Sequence, residues 1–445
     1  MTTTLRPDSR LRLSRDGRLV LGGSPMRMLR LSPAGARRVR AWLAGEPVGA
    51  TPGEQALAHR MLAAGIVHPR AGGGRRTTTE VSVVIPVKDN PAGLARLIDA
   101  TEGLTRIIVD DGSATPVPSA AVRHDRPHGP AAARNSGSRQ VTTELIAFLD
   151  SDIVPDPGWL RAVLSLFDDP AVAAVAPRVR TLDDGVLGRY EQGRSSLDMG
   201  AEPAVVRPGG RIGYVPSAAL VIRRDVLTAA GGFDEELRYG EDVDLIWRLV
   251  AAGHLVRYQP ESVVRHAPRT TLRAWLRQRY EYGTSAAPLA RHHPGQLPCA
   301  RLSRATALRW LSFAVGRPGF AAVTLAEPVR RFRRLRDLGL PITTAAAVVG
   351  EAELSAVGQL ADAMRRIWWP AALLSRRGRR LLAAVYLPVV LRAAVAARDP
   401  RAAVLRVADD IAYGTGVWAG CLRTRTAEPV LPSLRGQTET ADVAR

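Results

Sequence analysis

The chain has 445 residues, 46% hydrophobic and 23% charged, a balance that fits a globular protein of roughly two to four domains. Its net charge of +20 is almost all arginine, with Lys88 the only lysine, so nucleotide phosphates, nucleic acid or an anionic membrane face suit it, unless the arginine is compositional bias alone. Two cysteines, Cys299 and Cys421, exclude a disulfide framework and fit a reducing cytoplasm, and MTTTLRPDSR at the N-terminus lacks the apolar core of a signal peptide.

The first block is residues 1–70. LRLSRDGRLVL reads as two short strands around Asp16-Gly17, and MRMLRL as a third. Ser32 caps a helix with Pro33 at its first position, running to about Ala44. Thr51-Pro52-Gly53-Glu54 is a capping box that opens a second helix, and IVHP returns as a strand after Gly65. Together these predict a small winged-helix-like α+β domain. AGGGRRTTT (71–79) reads as a flexible linker.

The second block is residues 80–268. VSVVIPV is an unbroken apolar run, the pattern of a strand buried on both faces. Asn90-Pro91 caps a helix, RIIVDDGS is a second strand, and ELIAFLDSD a third. Alternating strands and helices predict a doubly wound α/β sheet, in which ligands bind beyond the carboxyl ends of the strands. Each of these strands ends in acids: Asp89 after Pro86-Val87-Lys88, then Asp110-Asp111-Gly112-Ser113, then Asp150-Ser151-Asp152.

Two carboxylates one residue apart repel, and low polarity makes this worse, so a cation is expected between Asp150 and Asp152. Carboxylates and phosphate oxygens are hard ligands suited to Mg²⁺ or Mn²⁺. Asp111 is placed to meet a base or ribose, or else to make an ordinary Asx turn. Gly129 to Gly137, GPAAARNSG, is a Gly-flanked helix start that sets Arg134 for a diphosphate, or simply on a surface. Gly240-Glu241-Asp242 opens an amphipathic helix, where acids serve either as caps or as a general base aimed into the crevice. His266 follows the strand-like SVVR.

The third block, residues 269–445, reads as helical and Arg-rich, with a disordered end. No segment is a clean membrane span. LLAAVYLPVVLRAAVAA (381–397) and LRWLSFAVGRPGFAAVTLA (308–326) are each broken by arginine and proline, and read as buried or interfacial helices.

The motifs VSVVIPVKDN, VDDGS, GPAAARNSG, FLDSD, GGFDE and GEDVDL occur in the order found in family 2 inverting glycosyltransferases, and residues 80–268 resemble that family. The resemblance implies a GT-A fold, with a mixed doubly wound sheet. It implies that Pro86, Asp89, Asp111, Arg134 and Asp150 face the nucleotide-sugar donor. It places Asp150, Asp152 and His266 on a divalent cation, Mn²⁺ or Mg²⁺, and makes Asp242 the catalytic base. Tyr214, Ser217 and Glu241 fall where the family lines its acceptor site, although GYVPSAALVIRR also reads as a strand with its turn. The first block is similar to peptide-recognition domains of the PqqD type. With the tail phrase DDIAYGTGVWAGCLR, the whole chain resembles the mycofactocin-system glycosyltransferases. That resemblance implies UDP-glucose as donor and a peptide-derived small molecule as acceptor, while the cysteine usage and the Arg-rich C-terminal region predict a cytoplasmic protein that can contact the inner face of the cell membrane.

Three other readings compete. A lipid or cell-wall glycan acceptor would put the Arg-rich tail, with Trp368-Trp369, on an anionic bilayer. A DNA-binding winged helix would use Arg37, Arg38 and Arg40, but Ala34, Val39 and Leu43 need that helix for the core, and no nucleic-acid partner is expected. A nucleotidyltransferase would want a Gly-rich loop after the first strand, which PVKDNPAG does not supply.

Overall fold

The computed structural model of the protein describes residues 3–70, 74–182, 185–317 and 319–434. The expected disorder of the chain end falls outside the described residues from 435 onward, as do residues 71–73 of the linker. The chain forms two compact units. One joins residues 1–70 to 276–394 and 403–445; the other holds 71–275 and 395–402.

The N-terminal part of the first unit runs β1 (Leu5–Pro7), β2 (Arg12–Leu13), β3 (Leu19–Gly22), β4 (Arg27–Arg30), α1 (Pro33–Leu43), α2 (Pro52–Ala63) and β5 (Val67–Pro69). The hairpin at Asp16-Gly17 is present: Asp16 Oδ1 accepts from the Ser14 hydroxyl at 2.6 Å and the Arg18 N–H at 3.0 Å. Both caps form as well, Ser32 Oγ accepting from Gly35 N–H at 3.1 Å and Thr51 Oγ1 from Glu54 N–H at 3.4 Å. The strand β1 is not apparent in the sequence; it pairs antiparallel with β5. The inward face of α1 is Ala36, Val39 and Trp42, and Leu43 packs at its margin. Ala34, expected in that core, is exposed. It sits two residues before Ala36, roughly 200° around the helix.

The three-stranded sheet β2-β3-β4 is covered on both faces. Alternation along β3 sends Val20 into a core with Leu29, Val39, Trp42 and Met61, while Leu19 and Leu21 point the other way. Their partners there are Leu335, Leu340, Ala345 and Val348 of the C-terminal helices.

The second unit runs β6 (Val81–Val87), α3 (Pro91–Ala100), β7 (Thr105–Asp110), β8 (Val122–Arg123), α4 (Pro130–Ser138), β9 (Leu145–Leu149), β10 (Ile153–Pro155) and α5 (Trp159–Leu164). It continues with β11 (Val172–Thr181), α6 (Val186–Arg194), β12 (Ala204–Val205), β13 (Ala219–Arg223), α7 (Arg224–Ala229), α8 (Glu241–Ala251) and β14 (Leu255–His266). These build the expected mixed, doubly wound sheet, in the order β10-β14-β11-β13-β9-β6-β7-β8, with β12 beside β14. The pairs of β6 with β7 and with β9 are parallel, whereas β13 runs antiparallel to both β9 and β11. Every residue of β9 is buried, as its unbroken apolar run requires.

Helix α4 lies close on this sheet because its inner positions are small. A Cβ at Gly137 would stand 2.4 Å from Val84 Cγ1 and 3.0 Å from Val109 Cγ2. Both neighbours are β-branched and buried, so they have little room to give. Gly137→Ala is expected to destabilise the protein by about 1–3 kcal/mol, read as a lower urea midpoint at unchanged slope.

The remaining helices are α9 (Leu272–Thr284), α10 (Ala286–His292), α11 (Arg304–Val315), α12 (Gly319–Thr324), α13 (Ala326–Asp337), α14 (Ile342–Arg366), α15 (Trp369–Leu373), α16 (Arg376–Ala397) and α17 (Arg401–Thr424). The tail phrase DDIAYGTGVWAGCLR belongs to α17 and is a packing motif. Gly414 sits against the carbonyl of Arg366 and Gly416 against that of Tyr280, where any side chain would collide. Asp410, fully buried, accepts from Arg365 Nη1 at 3.1 Å and pairs with Arg366 and Arg406.

Helix α16 departs from expectation. It runs without a break through Pro388, and by length and composition it is apolar enough to cross a membrane, with a mean hydropathy of 1.7 over its best window. It is also not a buried helix, because only 6% of that window is covered. The arginine and proline interrupt the apolar string on paper, but they fall on a helix that tolerates both.

Candidate active site

The carboxyl ends of β6, β7 and β9 carry the predicted acids, but these do not all meet. At the end of β6, Pro86 lies past the pairing with β9, which covers Val81–Val84. Asp89 takes a left-handed backbone, φ 50°, and its Oδ1 accepts from Ala114 N–H at 2.8 Å. Asn90 caps α3 and also donates to the carbonyl and hydroxyl of Ser151, at 3.3 and 3.2 Å. It therefore ties the β6 loop to Asp150-Ser151-Asp152.

The two acids at the end of β7, Asp110 within it and Asp111 just after, serve their own loops. Burial alone would raise the Asp110 pKa, but bonds from the Ser113 hydroxyl and N–H, the Val117 N–H and Arg123 outweigh it and hold the group low. Asp111 is buried and accepts from the N–H groups of His128 at 2.8 Å and Gly129 at 2.9 Å, and it contacts His124 Nδ1 at 2.8 Å. Its carboxylate thus shapes the segment that leads into α4.

The charged cluster forms at the end of β9, across β6 from β7 in the sheet. Arg134, on α4, is 3% exposed and sits between two elements. Its Nη2 donates to Asp150 Oδ1 at 2.7 Å and its Nη1 to Glu241 Oε1 at 2.9 Å. The guanidinium lies 5.5 Å from the Phe233 ring centroid. Desolvation would weaken its charge, but Asp150 and Glu241 more than restore it, and its pKa is raised. Asn135 fixes the GGFDE turn from the same helix, donating to the Phe233 carbonyl and accepting from its N–H at 2.8 and 2.9 Å.

Asp152 owes its partner to register. Strand β10 pairs antiparallel with the end of β14, setting Ile153 opposite His266. The His266 Nε2 is then 3.3 Å from Asp152 Oδ2. Burial would push the Asp152 pKa up, but His266 reverses this and the net shift is downward. Asp150 goes the other way: burial raises it, Asp152 adds to the rise, and Arg134 only partly compensates.

Glu241 and Asp242 open α8, after Gly240 in a left-handed conformation. Glu241, expected toward the acceptor, has its carboxylate on Arg134. Burial, with the neighbouring Asp242 charge, pushes it up to about 7. Asp242 is also raised, again chiefly by burial. Its Oδ1 accepts from Val243 N–H at 2.8 Å and its Oδ2 from Ser217 N–H at 3.3 Å. Ser217 is buried and meets Asp242 through its backbone. Tyr214 is half-buried in the same loop, which Trp247 anchors by donating to the Gly213 carbonyl at 2.7 Å.

Thus Arg134, Asp150, Asp152, Glu241, Asp242 and His266 interact as one group, while Asp89 and Asp111 are bonded within neighbouring loops. Sequence reasoning read Asn90 only as a helix cap and missed its tie to Ser151, and it did not single out Asn135. The signal available was an Asn one residue before Pro91 and another beside Arg134 in a helix of small residues.

The raised Glu241 has a pH consequence. The folded state holds its proton to about 7, the unfolded state only to 4.5, so the native chain binds more protons in between. The associated stability is full below 4.5 and is lost as pH rises toward 7, by about 3 kcal/mol. Denaturation series in chelator should show this fall in the wild type and a flatter profile for Glu241→Gln.

Comparison with known proteins identifies the family. The sequence profile described as Glycosyl transferase family 2 matches residues 82–228. The pre-mycofactocin glycosyltransferase of Mycobacterium tuberculosis is 40% identical over 480 aligned residues, covering 98% of this chain and 100% of that protein. The succinoglycan biosynthesis protein ExoU of Rhizobium meliloti is 30% identical over 205 residues, covering 39% of this chain and 58% of that one. Among solved structures, a mannosyltransferase from Pyrobaculum calidifontis aligns with a TM-score of 0.39 at 16% identity, covering 76% of this chain and 89% of that chain. With its family motifs in order on a doubly wound sheet, and a relative this similar from end to end, the chain belongs to glycosyltransferase family 2 and is a glycosyltransferase.

Proposed function

We propose that this enzyme moves a hexose, with glucose from UDP-glucose the first candidate, onto a hydroxyl of a peptide-derived redox cofactor precursor, with inversion at the sugar. The observation that carries the reading is the meeting of Asp242, Arg134 and Asp150 beyond the ends of β9 and β13. The full-length similarity to a pre-mycofactocin glycosyltransferase supports the acceptor class.

Asp242 takes the proton from the acceptor hydroxyl while that oxygen bonds to the anomeric carbon and the bond to the diphosphate breaks. Its raised pKa makes it a better proton acceptor than an ordinary aspartate. Arg134 faces the departing diphosphate with a guanidinium already desolvated, so little reorganisation is needed as charge builds there.

A divalent cation fits the donor set of Asp150, Asp152 and His266, two hard carboxylates and an imidazole in one neighbourhood. Among the described residues no three such side chains already stand as a closed metal cluster. Asp150 is held by Arg134, yet its side chain remains 30% exposed and reachable. When bound, the ion would supply Lewis-acid neutralisation of the diphosphate. The acceptor's peptide portion is assigned to a groove of about 400 Å³ in the N-terminal domain, lined by Leu29, Leu31 and Leu57 with Arg30, Arg38 and Arg60. Strand β4 is an edge of its sheet there.

Mass spectrometry of small-molecule extracts from cells with and without the protein tests the whole reading. Hexose-mass increments on one precursor, present only with the enzyme, are expected. Unchanged glycoforms, or transfer to a lipid instead, would exclude this acceptor.

A further inference from the structure

Two helices of the first unit turn apolar stripes outward. On α11, Leu308, Leu311 and Val315 recur at helical spacing, each at least half exposed, while Thr306 and Arg309 face inward. On α16, Leu387 and Leu391 do the same, at 59% and 57% exposure. The corner before α16 carries Leu374, 86% exposed. Scattered surface leucines are ordinary, but repeated stripes are not.

Charge accompanies these stripes with one sign. Arg376, Arg377, Arg379 and Arg380 are exposed or nearly so at the start of α16. No acidic residue occurs between Asp362 and Asp399, nor between Glu281 and Glu327, so both stripes lie in acid-free stretches. The stripes also meet: Arg377 Nη1 donates to the Val315 carbonyl at 2.5 Å, and Arg379 donates to the Leu373 carbonyl at 2.8 Å. These bonds fasten the end of α11 to the corner bearing Leu373 and Leu374.

We propose that this face, built from α11, the α15–α16 corner and α16, docks on an anionic lipid leaflet. The leucines enter the acyl boundary and the arginines take the headgroup phosphates. A lipid surface is favoured over a protein partner because exposed apolar stripes beside a run of four exposed arginines match a bilayer interface. The inference stands apart from the sugar-transfer reading, since its readout is binding.

The test is co-sedimentation of the full-length chain with vesicles. Binding to mixed phosphatidylglycerol–phosphatidylcholine vesicles is expected, weakening with salt, with about tenfold less on phosphatidylcholine alone. The double variant Leu374→Glu/Leu391→Glu should lose about tenfold or more of that binding while keeping its circular dichroism and melting curve. Arg376→Gln with Arg380→Gln should lower the anionic preference and its salt dependence by about tenfold, since neither side chain holds a backbone contact that the other two arginines make. The proposal is overturned if the wild type binds neither vesicle or both equally. A dimer in light scattering that the leucine variants split would also overturn it, assigning the face to a second copy.

Discussion

Asp242→Asn is expected to lower kcat by about 10²–10⁴-fold while leaving nucleotide affinity within a few-fold of wild type. The amide keeps the size of the carboxylate and can still accept from Ser217 or Val243 N–H, so the opening of α8 should hold its shape. What is lost is a proton acceptor in a buried, negatively charged setting. Isothermal titration with UDP and a steady-state assay separate the two effects. A variant that keeps more than a tenth of wild-type kcat would assign the base elsewhere, with Glu241 the first alternative.

The second large effect should come from Arg134→Ala, and it should appear in stability before activity. Arg134 is the shared partner of Asp150 and Glu241, both raised by burial already. Removing it leaves the buried Glu241 and the half-buried Asp150 without their cation, and breaking a buried pair in this way costs up to about 3–5 kcal/mol. Arg134→Lys keeps the charge but cannot reach both acids with one planar fork, so an intermediate loss is expected. Urea denaturation of the three proteins in chelator, at neutral pH, orders them. A loss under about 1 kcal/mol for the alanine variant would mean that water or another group replaces the guanidinium.

Legibility followed physical range. Strands β6, β7 and β9 were readable because burial on both faces demands unbroken apolar runs, and the caps at Ser32, Thr51 and Asn90 because they are local. Long-range pairings were not. Nothing near Leu5 announces that it will lie opposite Pro69. The repulsion of Asp150 and Asp152 was legible, but not the side chains beside them: Arg134 Nη2 stands 2.7 Å from Asp150 and His266 Nε2 3.3 Å from Asp152. The divergence of Asp111 and Asp150 to separate partners was hidden for the same reason: both follow buried strands, and only three-dimensional neighbours decide what each carboxylate meets. The amphipathic helix at Glu241 was legible, but the direction of its first carboxylate was not.

Strand β3 shows why the amino-terminal domain should not be thought of as a detachable cassette. With Leu19 and Leu21 seated on residues more than three hundred positions downstream, the polypeptide must be finished before its beginning can close. A fragment ending near residue 70 would expose that sheet face to solvent, and along the sequence the catalytic sheet is inserted between β3 and the helices α13 and α14 that cover it. Engineering that swaps the front of this enzyme for another must therefore carry α13 and α14 along with it.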